Sequence, residues 1–152
     1  MHGLTNKSVA QYLHNLAVEK HKGGNYKASR TFMESAAALG LAKAQYVLGH
    51  FLARGIGGEK NEEQARKCIE QAAENGSVKA QNSLGIYFAE GIGGKKDEEQ
   101  ARVWYEKAAA NGDVKAQNNI GLCFARGIGG KKDEEQARVW YEKAAANGDV
   151  KA

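Results

Sequence analysis

One 25-residue stretch occurs twice in the sequence, and this repetition decides the fold. Gly91 to Lys115 reads GIGGKKDEEQARVWYEKAAANGDVK, and Gly127 to Lys151 repeats it residue for residue, 36 residues later. A fixed period of about 20 to 50 residues marks solenoids and other repeat architectures. The sequence therefore predicts a protein built from stacked copies of one unit.

The same period extends through most of the chain. Three segments of the pattern Ala-Gln-x-x-(Leu or Ile)-Gly begin at Ala44, Ala80 and Ala116, and Ala152 opens a further one. The preceding unit is degenerate, since it lacks the Leu-Gly pair and the glycine-rich loop. We predict one solenoid domain over residues 1–152, with approximate repeats 8–43, 44–79, 80–115 and 116–151 and the start of a fifth.

Glycines and capping residues predict two helices in each unit. Asn111-Gly112 ends one helix with a glycine suited to the left-handed conformation, and Asp113 caps the next, with Ser77 and Asp149 in equivalent places. The first helices are predicted at about Val78 to Glu90 and Val114 to Arg126. Each second helix follows an N-cap residue with glutamine three positions later, as in Asn61-Gln64, Asp97-Gln100 and Asp133-Gln136.

The apolar spacing also indicates helices. One stripe of the second helix has positions i, i+3, i+4, i+7 and i+8, occupied by Ala101, Trp104, Tyr105, Ala108 and Ala109. A single unit cannot bury this stripe alone, so stability must come from stacking of neighbouring units. The predicted fold class is all-α.

Composition excludes several functional classes. The net charge is +4, but lysines alternate with acids, as in Lys95-Lys96-Asp97-Glu98-Glu99, so nucleic-acid binding is not predicted. No apolar run is long enough for membrane insertion, and the first residues lack the apolar core of a signal peptide. We therefore expect a soluble protein.

Neither cysteine is expected to form a disulfide. Cys68 and Cys123 fall in different repeats with another repeat between them. Both replace aromatic residues of the other units and are interpreted as small buried hydrophobes. Free thiols favour a reducing compartment such as the cytoplasm.

No catalytic or metal-binding motif is found. The Gly-x-Gly-Gly runs resemble phosphate-binding loops, but they lie between helices and follow no strand. His14 and His21 share a helix face without a cysteine or acidic ligand at zinc spacing. The repeated Asp-Glu-Glu triplets are helix starts. We predict no enzymatic activity, no metal and no cofactor.

These repeats resemble the Sel-1-like repeat, a relative of the tetratricopeptide repeat. The resemblance rests on the pattern Ala-x3-Leu-Gly-x3-Ala-x-Gly-x-Gly, followed by Asp-x3-Ala-x2-Trp-Tyr-x-Lys-Ala-Ala-x2-Gly. Residues 80–115 and 116–151 match fully, whereas residues 44–79 have Cys68 and Ile69 in place of Trp and Tyr. The resemblance implies a right-handed superhelix whose first helices line a concave face, and a role as an adaptor in protein complexes.

Differences between repeats suggest where a partner binds. The third and fourth units differ at five positions, all in the first helix: Ser83/Asn119, Leu84/Ile120, Ile86/Leu122, Tyr87/Cys123 and Glu90/Arg126. Given the resemblance, the candidate contact residues are Tyr46, Val47, His50, Phe51 and Arg54 in the second unit, Asn82, Ser83, Ile86, Tyr87 and Glu90 in the third, and Asn118, Asn119, Leu122, Cys123 and Arg126 in the fourth. Asn82 and Asn118 are suited to the backbone of an extended peptide, and Arg54 and Arg126 to carboxylates. Drift or repacking is the alternative explanation.

The C-terminal unit suggests a second kind of contact. Its last helix is expected to expose part of the stripe Ala137, Trp140, Tyr141 and Ala144, and such apolar patches mark interaction sites. Two interpretations of the chain remain open. It is a noncatalytic adaptor that binds a protein or peptide on the concave face, or it is a purely structural element: an engineered consensus scaffold or a fragment of a longer array, self-stacking through this end.

Overall fold

The computed structural model describes residues 3–149, and every regular element in that range is a helix. The order is α1 (Asn6–Lys22), α2 (Tyr26–Ala38), α3 (Ala42–Arg54), α4 (Glu62–Glu74), α5 (Val78–Glu90), α6 (Glu98–Ala110), α7 (Val114–Arg126) and α8 (Glu134–Asp149). This confirms the predicted all-α class of helix-turn-helix repeats. The odd-numbered helices are called the first helices of the four repeats, and the even-numbered ones the second helices.

The chain divides into two compact units, Met1–Ser77 and Val78–Ala152. In the first unit α1 packs on α2, α2 on α3, and α3 on α4. In the second unit α5 packs on α6, α6 on α7, and α7 on α8. Each second helix that lies between two first helices therefore buries residues on two sides, which is how stacking covers the apolar stripe.

Capping side chains set the helix starts as predicted. The side chains of Asn61, Asp97 and Asp133 each accept the backbone N–H three residues later at 3.0 Å. Asp113 Oδ2 accepts the Ala116 N–H at 2.8 Å. Just before it, Gly112 has a φ of 93°, and the Asp113 N–H donates to the Ala108 carbonyl at 3.1 Å. This is the hydrogen-bond pattern of a Schellman turn, which needs the left-handed glycine.

The end of α8 differs from the sequence prediction. Asp149 was expected to cap a new helix after a break at Asn147-Gly148, but α8 continues to Asp149. Gly148 does not take the positive φ of Gly40, Gly76 and Gly112. Those three glycines each reverse the chain so that a following helix can pack, and among residues 3–149 no helix follows α8.

Glycines in the first helices allow close approach of the second helices. A Cβ at Gly85 would lie 2.5 Å from the ring of Tyr105, and a Cβ at Gly49 would lie 2.6 Å from Ile69. Tyr105 is consequently buried in the core of the second unit. Trp104 is only half-buried, contrary to the role in the core that its stripe predicted, and the Lys107 ammonium lies 4.6 Å from its ring centroid.

The glycine-rich loops are held by arginines of the preceding repeat. Arg30 donates to the carbonyls of Ile56 and Glu59 at 3.5 and 3.0 Å. Arg102 makes the equivalent bonds to Ile128 and Lys131 at 3.3 and 3.1 Å. These bonds join one repeat to the next within each unit, and they give the loops a role in packing the repeats together. The sequence analysis missed this contact, although arginine recurs at 36-residue spacing at positions 30, 66, 102 and 138.

Buried glutamines add a second tie between repeats. Gln117 Nε2 donates to the carbonyl of Ala109 at 3.2 Å, and its Oε1 accepts from Asn147 at 2.9 Å. Gln45 is linked in the same way to Ala37 and Asn75. Each glutamine thus joins the ends of two second helices through one first helix, so its polar atoms are used for architecture rather than for a ligand.

Candidate protein-binding face of the first helices

The candidate residues of the second repeat divide by exposure. Arg54 is exposed, and Tyr46, Val47 and His50 are half-buried on the same helix. The rings of Tyr46 and His50 meet edge to face with centroids 4.6 Å apart. Their spacing of four residues places them on one side of α3, so the structure brings these candidates together.

Phe51 is placed differently from its companions. Its side chain is buried, and its ring stacks on that of His21 from α1 at a centroid distance of 5.6 Å. The prediction that Phe51 contacts a partner directly therefore does not fit its position. Phe51 contributes to packing between α1 and α3 in the first unit.

Two half-buried histidines of the first unit, His14 and His50, are each influenced by a nearby cationic side chain. Burial and then Lys43 lower the pKa of His14, while its hydrogen bond with Asn15 raises it. Burial and then Arg54 lower the pKa of His50. One ring nitrogen of each, Nδ1 of His14 and Nε2 of His50, is buried without a hydrogen-bond partner among the described residues. Because Lys43 on α3 acts on a histidine of α1, the two first helices of this unit share one charged environment.

Asparagines join the two first helices of the second unit. Asn119 Nδ2 donates to Asn82 Oδ1 at 3.0 Å, which places α5 beside α7. Asn82 is only 6% exposed, whereas Asn118, its counterpart one repeat later, is exposed. Asn118 is therefore accessible as a candidate contact residue, whereas the oxygen of Asn82 is already engaged inside the protein.

The remaining candidates of the second unit fall into three groups. Glu90 and Arg126 are exposed at the ends of α5 and α7, and Ser83, Ile86 and Leu122 are half-buried beside them. Tyr87 and Cys123 are buried and do not present their side chains to a partner. The predicted set therefore retains an exposed or half-exposed group, consisting of Tyr46, Val47, His50, Arg54, Ser83, Ile86, Glu90, Asn118, Asn119, Leu122 and Arg126.

Both cysteines are free thiols. Cys123 is buried, whereas Cys68 is only half-buried, so the predicted burial fits the first better than the second. Burial is the main cause that raises the pKa of each thiol, which keeps it protonated and weakly nucleophilic. Among residues 3–149 no three histidines, cysteines or acids cluster to hold a metal ion.

The outer side of α8 forms a shallow groove. Part of the predicted stripe is accessible: Tyr141 is 38% exposed and Trp140 is half-buried, whereas Ala137 and Ala144 are buried. The groove has a volume of about 470 Å³ and is lined by Ala125, Glu134, Ala137, Arg138, Tyr141, Glu142 and Ala145. In the described part of the chain, no helix is long and apolar enough to cross a membrane.

Comparison with solved structures identifies relatives of this arrangement. A Sel1 repeat protein from Oxalobacter formigenes is 32% identical with a TM-score of 0.86, over 91% of this chain and 59% of that one. The protective antigen c5321 of uropathogenic Escherichia coli, described as displaying an SLR fold, is 29% identical with a TM-score of 0.89, over 91% of this chain and 31% of that one. Helicobacter pylori cysteine rich protein B, at 21% identity and a TM-score of 0.58, shares the fold.

The chain thus spans 59% and 31% of the first two of these structures. No curated protein matches it. The family model described as the Sel1 repeat matches four times, at residues 9–41, 42–77, 78–113 and 114–149, which together cover most of the sequence. The chain belongs to the Sel1 repeat family.

Proposed function

We propose that this chain is a noncatalytic binding module that holds a protein or peptide against its first helices. Sel1 and related tetratricopeptide-like repeat proteins generally mediate protein–protein interaction. The observation that carries the proposal is that the first helices differ between repeats whereas the second helices do not. The five differences between the third and fourth repeats all lie in first helices, whereas the second helices and loops are identical. Two of the five pairs are buried, and the other three, Ser83/Asn119, Ile86/Leu122 and Glu90/Arg126, are exposed or half-buried.

Packing supports this division. The arginines of the second helices α2 and α6 hold the loop of the next repeat. In the described part of the chain, His50, Arg54 and Asn118 of the first helices form no hydrogen bond or ion pair with another repeat. Exposed side chains that packing does not require are free to vary with a ligand.

An affinity-capture experiment tests the proposal. The full chain is immobilised, proteins bound from a lysate are identified, and the affinity of a purified candidate is measured by calorimetry. A triple variant, His50→Ala, Arg54→Ala and Asn118→Ala, is expected to weaken binding about tenfold or more, since a few interface residues usually dominate affinity. The matched control changes Lys27, Gln71 and Glu106 to alanine, which are exposed on second helices.

The two variants separate the outcomes. Loss of binding in the first-helix variant with unchanged binding in the control supports the proposal. Equal binding by both, or loss only in the control, contradicts it. Circular dichroism of both variants verifies that each retains its helices.

Self-association through α8 is the second candidate, favoured by the exposed Tyr141 and the groove around it. The proposed occupant is α1 of another copy, which exposes Tyr12 on the helix and Leu4 just before the helix starts. Such a head-to-tail contact is heterologous and extends into chains unless it closes. Light scattering over a concentration range should show mass growth that Tyr141→Glu abolishes. A monomer at all concentrations would rule this candidate out.

A further inference from the structure

Charge is unevenly divided between the two kinds of helix. The four first helices carry eight lysines and arginines against two glutamates. The four second helices carry eight lysines and arginines against twelve acids. The small net charge of the whole chain is therefore the sum of a basic set of first helices and an acidic set of second helices.

Among the residues that the structure describes, the basic side chains of the first helices form no ion pair with a carboxylate. The described ion pairs lie on second helices or on the loops that lead into them, such as Arg66 with Glu70 at 3.6 Å and Lys132 with Glu134 at 3.3 Å. In the structure of residues 3–149, no carboxylate pairs with Lys43 or Arg54 of α3, or with Lys115 or Arg126 of α7. All four side chains are exposed.

These cations lie on the stripe that carries the candidate contact residues. Lys43, Val47, His50 and Arg54 follow one another at i, i+4, i+7 and i+11, which is one side of a helix. Lys115, Asn119, Leu122 and Arg126 repeat the arrangement on α7. The influence of Lys43 on His14 and of Arg54 on His50 shows that the positive charge acts on this side of the first unit. Each stripe thus places half-buried apolar or amide groups between two cations.

We infer that the first helices of each unit bind an acidic peptide segment of a partner protein. This inference rests on the proposed function and names the chemistry of the partner. Carboxylates of the segment would pair with Lys43 and Arg54, or with Lys115 and Arg126. Amide and aromatic groups such as Asn118 and Tyr46 would contact its backbone and side chains between those charges.

A peptide fits this charge pattern better than a nucleic acid does. Duplex DNA carries a phosphate charge about every 1.7 Å, and proteins that bind it present clustered lysines and arginines. Here each stripe holds two cations separated by uncharged residues. In addition, Glu90 occupies on α5 the position that Arg54 and Arg126 occupy on α3 and α7. A carboxylate there repels a continuous phosphate backbone but tolerates a peptide with a neutral or basic residue at that point.

Selection from a random peptide library tests this inference on the full chain. A phage library of 12-residue peptides is panned against the immobilised protein, and enriched peptides are sequenced. We expect aspartate and glutamate to rise at least about twofold over the starting library. Fluorescence anisotropy with the enriched peptides then compares Lys43→Glu/Arg54→Glu and Lys115→Glu/Arg126→Glu with the original chain. Reversal of two charges should weaken binding to the affected unit about tenfold or more, because two attractions to the peptide become repulsions.

A matched control isolates the position of the charges from their number. Lys27→Glu/Lys131→Glu makes the same change in net charge, at exposed residues of α2 and of the loop before α8. It should alter affinity less than about twofold. A single-stranded oligonucleotide is added as a competitor, and it should not displace the peptides at concentrations near their Kd.

Each contrary outcome has a distinct meaning. The panning could enrich neutral or basic peptides whose binding is still weakened by first-helix substitutions. That result would overturn the acidic-partner inference and leave the proposed function intact. Acidic peptides that respond equally to the control variant would overturn the inference as nonspecific attraction. Displacement by the oligonucleotide would replace the peptide with a nucleic acid. Peptides that ignore every first-helix substitution would contradict the proposed function itself.

Discussion

Helices α6 and α8 start from the same sequence and lie in different environments. The residues from Glu98 to Ala110 are identical to those from Glu134 to Ala146, and the preceding loops are identical as well. In α6 the tyrosine is 7% exposed, whereas in α8 its counterpart is 38% exposed. The reason is packing: α6 contacts both α5 and α7, and within the described second unit α8 packs on α7.

The comparison shows how much of a repeat is stabilised by its neighbour. A buried tyrosine covers about 200 Å², so a difference of about 30% in exposure corresponds to about 1.5 kcal/mol at 25 cal/mol per Å². Arg102 and Arg138 differ in the same way, since Arg102 holds the loop of the next repeat, whereas Arg138 makes no such bond among residues 3–149. Local sequence specifies the helix, and the next repeat determines what its side chains contribute.

Replacing Tyr105 and Tyr141 should give the largest difference in the free energy of unfolding between the two copies. Tyr105→Ala is expected to lower the free energy of unfolding by about 4 kcal/mol, as for other buried aromatic residues, and Tyr141→Ala by about half of that or less. Urea unfolding followed by circular dichroism measures both. Equal losses would mean that the outer side of α8 is covered in solution, and repeating the measurement at several protein concentrations would show whether another copy covers it.

The arginine pair should give the next contrast. Arg102→Ala removes two bonds to loop carbonyls and the guanidinium that lies 4.1 Å from the Phe124 ring centroid, so we expect a loss of about 2 kcal/mol. Arg138→Ala should change stability by less than about 0.5 kcal/mol, because the residue is exposed. Thermal unfolding of both variants checks this. The variant Arg102→Lys serves as a control that keeps the charge, and full recovery by lysine would show that the loop bonds matter little.

Adding a methyl group at Gly85 or Gly121, where a first helix closely approaches a second helix, should also change stability differently in the two copies. A Cβ at Gly85 would lie 2.5 Å from the buried Tyr105 ring, and one at Gly121 would lie 2.7 Å from the exposed Tyr141 ring. Gly85→Ala should cost about 1.5 kcal/mol through overpacking. Gly121→Ala should cost less, because an exposed ring has room to rotate away. Differential scanning calorimetry of both variants tests this, and a larger loss at Gly121 would contradict it.

The sequence predicted helix positions better than it predicted exposure. The bounds of α5 and α7 follow directly from their capping residues, because a cap acts within a few residues of the backbone it stabilises. Burial of a side chain depends on residues about 36 positions away, and sequence spacing could not show that Asn82 bonds to Asn119 or that Phe51 stacks on His21. The role of the recurring arginines could have been suspected from their period alone. Their acceptors are backbone carbonyls, which leave no signature in side-chain identity.

Two glycines that end their repeats should give the smallest individual changes in stability and the only reversal of sign. A Cβ on Gly112 or on Gly148 would meet nothing within 4 Å, so alanine at either position tests backbone conformation alone. Gly112 has a φ of 93°, and Gly112→Ala should destabilise the protein by about 1 kcal/mol. Gly148 lies inside α8, where alanine is the better helix former, so Gly148→Ala should stabilise it by about 0.5 kcal/mol. Chemical denaturation resolves the two signs. Destabilisation by both substitutions would mean that α8 breaks at Asn147-Gly148 in solution, as the sequence pattern alone predicts.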